Sequence, residues 1–490
     1  MRLRLTTFFL ALAVAALGAA AVASANVALT RISSDPFTNT TSQHATEVEP
    51  DTFAYGSTVV GAFQVGRFFD GGGTDIGVVR SGDGGHTWGP PGFLPGMTTS
   101  SGATNTPFER VSDASVAYDA AHATWLISSI PIPPSFSIQT VLVNRSTDDG
   151  QTWSTPVSIP TPVAARISLD KNWTVCDNGV ASPFRGHCYT EFDNFGDHLH
   201  MLMSTSTDGG QTWSAPVGTA SNDKGIGGQP LVQPNGTVVV PYEDTSGKIA
   251  AFRSTDGGAT WTNSVQVAAI RFHGVAGGLR TSPLPTAEID GSGRVYVAWE
   301  DCRFEKHCTA NDIVFSASSD GLNWGDPARI PIDPVGSGAD HFIPGLAVDP
   351  ATSGSGAHLA LTYYYYPDAA CSGGCQLDVG YISSPDGGAH WGNAQQLAGP
   401  MQLSQIAQTS LGPMTGDYIS TSFAGGGSAV TMFPVGLPAA PGSFDEAMYA
   451  PASPLSVASA AAATKPSTTT GVFPVTGVGT GETHHDLKSN

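Results

Sequence analysis

Glu300 and Asp301 stand side by side, directly after Trp299 and two residues before Arg303. General acid–base cleavage needs one carboxyl held protonated near neutral pH and a second held ionised. Crowding of like charges achieves the first, and a guanidinium neighbour the second. The indole adds a flat apolar face on which a sugar ring could stack. Residues of the same types recur at the ends of other strand-like runs, as Arg67 with Asp70 and Asp75 behind it, Glu191 with Asp193, and Glu243 with Asp244, and at the starts of runs, as Glu49, Asp51, Asp113, Asp170 and Asp417. In the run Tyr363 to Tyr366, alternate rings of an extended chain face opposite ways. The candidate catalytic residues are therefore Asp70, Asp75, Glu191, Glu300 and Asp301, and the candidate substrate contacts are Arg67, Arg303, Trp299 and Tyr366. The competing reading makes these carboxylates a solvated rim, with Glu300 and Asp301 merely closing a loop.

One repeated string must position them, Ser-x-Asp-x-Gly-x-Thr-Trp. It runs Ser81 to Trp88, Ser146 to Trp153, Ser206 to Trp213 and Ser254 to Trp261, with a shortened copy Ser318 to Trp324 and a sixth, Ser384 to Trp391, in which His390 replaces Thr. Each copy follows a strand-like run such as Asp312 to Ala317. The chemistry of the box is that of a turn. Gly supplies a positive backbone angle, the carboxylate accepts N–H groups inside the turn, and Trp caps the apolar layer beneath. Asp83, Asp148, Asp208, Asp256, Asp320 and Asp386 are accordingly structural. Six copies of a turn are more reasonable in one chain than six active sites.

Each box is preceded by a hairpin signal, among them Tyr55-Gly56, Asn235-Gly236 and Asp290 to Gly293. A seventh hairpin around Gly425 to Gly427 has no box, and its unit, Asp417 to about Tyr449, shows three strands. Val27 to Ile32 is the segment that could supply the missing outer strand. The pattern predicts an all-β propeller of four-stranded antiparallel blades, seven by this count and six as the alternative.

Composition limits the partners. Charged residues make up 13% of the 490 and the formal net charge is -20, so phosphate backbones and anionic membranes repel the chain on average. Nucleic acid is excluded as a partner on that ground. Arg2 and Arg4, the apolar run Phe8 to Val22 and Ala23-Ser24-Ala25 read as an export signal cleaved near Ala25. The run is short for a membrane span, and no later run is long enough. The expected domains are a signal peptide 1–25, a propeller 26–450 and a disordered Ser/Ala/Thr/Pro-rich tail 451–490. In an oxidising compartment the six cysteines pair locally, as Cys176–Cys188, Cys302–Cys308 and Cys371–Cys375. Their spacing is not that of a zinc site. The loop Asp193 to Asp197 offers hard oxygen ligands but no complete calcium motif. No metal and no cofactor are expected.

The repeated string resembles the Asp-box, or BNR repeat, of the sialidase superfamily of β-propellers, over roughly residues 45–450. That resemblance implies a carbohydrate-active protein. In the family three arginines grip a carboxylate, a Tyr activated by Glu acts as nucleophile, and an Asp serves as acid/base. The stretch Val59 to Arg67 with Asp70 and Asp75 looks like the segment that carries the acid/base Asp. The chain departs from the pattern just before it, where Val48-Glu49-Pro50 stands in place of Arg-Ile-Pro. A carboxylate there would repel a carboxylate substrate, which argues against ordinary sialidase chemistry. Arg67, Arg110, Arg166, Arg280 and Arg303 remain without an assigned place in a triad. Three readings follow: a secreted glycoside hydrolase or lyase acting on an extracellular glycan or glycoprotein, a non-catalytic propeller binding glycan or protein, and a divergent exo-sialidase with a rearranged arginine triad.

Overall fold

The computed structural model describes residues 27–162, 164 and 166–459; the export signal read at 1–25 lies outside them. The described chain is all-β, its helical structure confined to short 3-10 turns. Antiparallel units follow one another along the sequence. The first comprises Gln43–Tyr55, Thr58–Arg67, Gly73–Ser81 and Gly92–Phe93, and the second Arg110–Asp119, Thr124–Ile132, Leu142–Ser146 and Val157–Ser158. The third runs from Leu169–Cys176 through Cys188–Asn194 and His200–Ser206 to Val217–Gly218. In the fourth the inner strand is split into Gly225–Ile226 and Leu231–Val232, both pairing with Val238–Asp244. The fifth opens on Thr286–Ile289 and Val295–Asp301, the sixth on Asp340–Val348 and Leu359–Tyr366.

The last unit, Ser420–Ala424, Ser428–Gly436 and Glu446–Pro451, takes its outer strand from the other end of the described chain. Leu29–Arg31 pairs antiparallel with Tyr449 to Pro451. Side-chain bonds reinforce the junction. Ser33 Oγ accepts the Met448 N–H at 2.8 Å, and Arg31 pairs with Asp445 at 2.7 Å.

The boxes fold as expected of turns. In the first, Asp83 Oδ1 accepts the Thr87 N–H at 2.8 Å, Thr87 Oγ1 donates to Oδ2 at 2.6 Å, and Ser81 Oγ accepts the Gly85 N–H at 2.9 Å. The same pattern closes the turns at Asp148, Asp208, Asp256 and Asp386, with His390 taking the Thr place in the last; Asn323 plays that part for Asp320. A box glycine is also where neighbouring units touch. A Cβ on Gly210 would come 2.6 Å from Leu126 in the preceding unit. A Cβ on Gly85 would come 2.8 Å from Val430, which places the first box against the last unit. Hydrophobic side chains fill the layers between units, Trp125 and Ile127 packing with Val60 and Ile76, and Trp299 and Val314 with Leu231 and Val239.

All three expected disulfides are present, with Cα–Cα separations of 4.0 Å for Cys176–Cys188, 4.9 Å for Cys302–Cys308 and 5.2 Å for Cys371–Cys375. The domain break drawn at 451 needs correction. Ala452 N donates to the Ala28 carbonyl, Leu455 exchanges backbone bonds with Ala429, and Ala458 N donates to Ser383 Oγ. Leu455 is buried against the core, and this apolar contact holds the segment in place despite its composition. Residues 460–490 lie outside the described chain.

Candidate functional site

Inner strands of four units break register near their starts, between Val48 and Asp51, Ser112 and Ser115, Asp170 and Trp173, and Phe342 and Gly345. Each bulge holds a residue other than glycine in the left-handed region: Glu49 (φ 54°), Asp113 (φ 50°), Lys171 (φ 44°) and Ile343 (φ 49°). Such a backbone costs about 1–3 kcal/mol per residue and persists only where its surroundings enforce it. A bulge also re-aims the side chain it carries. Three of the four carry charges, and the three converge.

Lys171 Nζ lies 3.2 Å from Asp113 Oδ1, 3.5 Å from Glu49 Oε1 and 2.8 Å from Asp417 Oδ2. Asp417 precedes the inner strand of the last unit and also receives Arg280, whose Nε donates to Oδ1 at 2.7 Å while its Nη2 donates to Oδ2. Gln64 ties in the first two units, donating to Glu49 and to Ser112 Oγ and accepting Arg67 Nη1 at 2.6 Å. Arg67, Lys171 and Arg280 therefore meet Glu49, Asp113 and Asp417 in one buried network. Two aromatic rings wall it. Lys171 Nζ sits 4.8 Å from the centroid of the Tyr418 ring, and Trp173 meets that ring edge-on at 5.4 Å. A cavity of about 20 Å³ adjoins them, lined among others by Asn172, Gly228 and Leu284.

The electrostatics follow from burial and charge together. Burial pushes Glu49 up to about 7 against the pull of Lys171, and burial with the nearby Asp113 pushes Asp170 up to about 6. Asp417 goes the other way: despite its burial, Arg280 and Lys171 hold it well below the usual carboxylate range. Burial disfavours the Lys171 ammonium, but Asp113, Asp417 and Glu49 more than compensate and keep it charged.

Of the candidate catalytic and substrate-contact residues, Arg67 belongs to this network and the others lie elsewhere. Asp70 is half exposed and pairs with Arg110. Asp75 is buried and accepts its neighbour's backbone N–H from Ile76 at 2.8 Å, and burial pushes it up to about 7. Glu191 is buried against the Gly228 backbone, where a Cβ would meet its Cδ at 2.7 Å; burial pushes its carboxyl well up. Glu300 Oε2 accepts the N–H of Ile343, the fourth bulge residue, at 3.2 Å, and burial with Asp340 nearby raises it well above the ordinary range. Glu300 in the fifth unit thus braces the inner strand of the sixth, as Gln64 in the first reaches Ser112 beside the bulge of the second. Asp301 is saturated by Arg303 Nε at 2.9 Å and Nη2 at 2.7 Å, Trp299 Nε1 at 3.1 Å and the Arg271 N–H at 3.1 Å.

Two expectations about aromatic contacts are corrected. Trp299 is 0% exposed and offers no sugar-stacking face; its indole packs in the core between the fourth and fifth units. Tyr366, also 0% exposed, sits edge-on to Phe342 at 5.0 Å. Of the five unassigned arginines only Arg67 and Arg280 reach the central network. Arg110 and Arg303 are paired with Asp70 and Asp301, and Arg166 offers its backbone carbonyl to Asn194. Val48, at the place of the family's first arginine, is buried with Ala407 and Met414. Lys171 and Tyr418, central to the network, were not singled out from the sequence. Their only sequence signal is a charged or aromatic residue at the start of an inner strand, one position after Asp170 and Asp417.

Residues 62–287 match the family described as BNR repeat-like domain. No curated protein matches the chain. Among solved structures, a protein of unknown function from Dyadobacter fermentans is similar at 17% identity and a TM-score of 0.46, over 73% of this chain and 99% of that one. The leech intramolecular trans-sialidase is similar at 13% identity and a TM-score of 0.41, over 82% and 67%. An α-L-arabinofuranosidase from Fusarium graminearum is similar at 16% identity and 0.44, over 77% and 98%. The match to the BNR repeat-like family spans under half of the chain, and the six Asp-box strings, whose turns close alike, agree with it.

Proposed function

We propose that the chain is a secreted, carbohydrate-active protein of glycosidase type, acting on an extracellular glycan or glycoprotein at the network of Lys171, Arg67, Arg280, Asp417 and Tyr418. The observation that carries this reading is the left-handed backbone at Glu49, Asp113 and Lys171, which aims three charged side chains at one point at a cost in stability. Glu49, raised to about 7, is suited to exchange a proton near neutral pH. Trp173 and Tyr418 are partly exposed and supply the apolar wall that the buried Trp299 does not. Secretion is supported by three disulfides, and among the described residues no helix is long and apolar enough to cross a membrane. Seven blades, the last completed by Leu29–Arg31, is the reading supported by the strand pairing and by the packing of Gly85 on Val430.

A second reading, a non-catalytic propeller that binds glycan or protein, is favoured by a different observation. Lys171 and Arg280 are both paired with carboxylates inside the network, and the adjoining cavity of about 20 Å³ has room for a water but not for a sugar. A divergent sialidase draws support only from two arginines and a lysine sharing one network, of which Lys171 lies against Tyr418. A panel of chromogenic glycosides, sialosides included, separates these readings: turnover of a neutral glycoside supports the first, turnover of a sialoside alone the third. No turnover together with retained glycan binding supports the second.

A further inference from the structure

Away from the central network, at the boundary between the fifth and sixth units, Asp312, Asp333 and His341 each offer a ligand atom, and these atoms lie within 4.8 Å of one another. We propose that they form a binding site for a divalent transition-metal cation of the zinc type.

Arg329 holds one oxygen of each carboxylate, its Nε donating to Asp312 Oδ1 at 2.6 Å and its Nη2 donating to Asp333 Oδ1. The other oxygens are thereby fixed in orientation. Asp312 Oδ2 is buried without a hydrogen-bond partner, on a side chain that is 3% exposed. Leaving a carboxylate oxygen in that state is costly unless a cation or donor completes it. His341 is equally buried, and its Nδ1 faces the Asn311 carbonyl at 3.3 Å. A carbonyl only accepts, so the proton sits on Nδ1 and Nε2 presents its lone pair. This is the arrangement by which a backbone carbonyl orients a metal-binding imidazole. Nε2 points towards Asp333 Oδ2 at 3.9 Å. Asp333 Oδ2 also accepts the Ser337 hydroxyl, so the unpartnered Asp312 Oδ2 and the free Nε2 lone pair are the groups that call for a cation.

Charge and chemistry agree. With Glu305 close enough to act on Asp312, three carboxylates face one guanidinium, and a divalent cation balances the difference. One imidazole nitrogen with two carboxylate oxygens is a set that suits zinc or a related transition metal rather than calcium or magnesium. Ligands about 2.1 Å from a tetrahedral zinc ion lie about 3.4 Å apart, so atoms now within 4.8 Å of one another close by at most about 1.4 Å on binding. Tyr365 stacks on the imidazole at 5.9 Å and Tyr363 meets it edge-on at 5.6 Å, restricting its rotation. Asp333, with 19% of its side chain exposed, gives the route of entry. The ligands come from three separate segments, so no spacing motif announces them.

The test uses the full mature protein stripped with a chelator and titrated with Zn²⁺ alone, followed by metal analysis after gel filtration, and with Co²⁺ as a spectroscopic probe. The expected result is one Zn²⁺ retained per chain, a visible Co²⁺ band, and at least a tenfold loss of affinity in Asp333→Asn and in His341→Phe. Asp333 is partly exposed, so its variant remains informative even if burial at His341 prevents the other from folding. Wild-type protein that retains no Zn²⁺, or that retains it no more tightly than Asp333→Asn does, would overturn the site.

Discussion

Lys171 Nζ donates to Asp417 Oδ2 at 2.8 Å, joining the third unit to the last through a bond between two buried ions. Breaking such a pair from one side leaves the partner's charge buried and uncompensated, a loss of about 3–5 kcal/mol. Lys171→Met is expected to lower unfolding free energy by that order in denaturant titrations. Lys171 faces Glu49 and Asp113 as well as Asp417, whereas Arg280 pairs with Asp417, so Arg280→Met should cost less than Lys171→Met. Equal stability of Lys171→Met and wild type would show that the network contributes nothing to the fold.

Glu300 provides a sharper contrast. If its task is to receive the Ile343 N–H, Glu300→Gln keeps an acceptor and should be nearly neutral in stability. Glu300→Leu strands the donor and should cost about 1–3 kcal/mol. Thermal unfolding of the two variants distinguishes this role from a proton-transfer role, which the amide would abolish while stability stayed intact.

The buried carboxyls make stability depend on pH in a defined direction. Asp51 and Asp75, both pushed up to about 7 by burial, take up protons in the folded state at pH values where the unfolded chain has lost them. Their contribution is full below pH about 4 and is lost as pH rises to about 7. Asp83 and Asp148, lowered to about 2 by their turn donors, act oppositely but only below pH about 4. Stability measured at pH 5 should therefore exceed that at pH 8, and Asp75→Asn should reduce the difference. A flat profile between these values would contradict the burial of these groups.

Gly85 has φ +90° and would bring a Cβ to 2.8 Å from Val430, whereas Gly84, with φ +74°, has nothing nearer than 3.5 Å. Both Ala substitutions carry backbone strain, but only Gly85→Ala must also displace the last unit. It is expected to exceed Gly84→Ala in cost by about 1–3 kcal/mol. Equal costs would remove this contact as a link between the first and last units.

The fold was legible because its signals are local. A box such as Ser206 to Trp213 contains every group its turn uses, and the disulfides close within 4 to 12 residues. The outer strand Leu29–Arg31 could be placed because the last unit was one strand short. The centre was legible only in part: Glu49, Asp113 and Asp417 stand out as carboxylates at strand starts, whereas Lys171 reaches them through a bulge that involves no glycine and leaves no mark in the alternation. Arg280 and Asp417 are 137 residues apart. Trp299 and Glu300 misled for a related reason: residue type suggested a site, while burial, which depends on the neighbouring unit, assigned them to packing and bracing.

The most direct measurement is the turnover of the best glycoside from the panel by wild type and by Tyr418→Phe. This substitution keeps the ring beside Lys171 and removes only the hydroxyl at the edge of the network. The account predicts measurable hydrolysis by the wild type and a fall in kcat of about a hundredfold or more in the variant, with an unchanged melting temperature. Full activity in Tyr418→Phe, or no hydrolysis of any glycoside by the wild type, would contradict it.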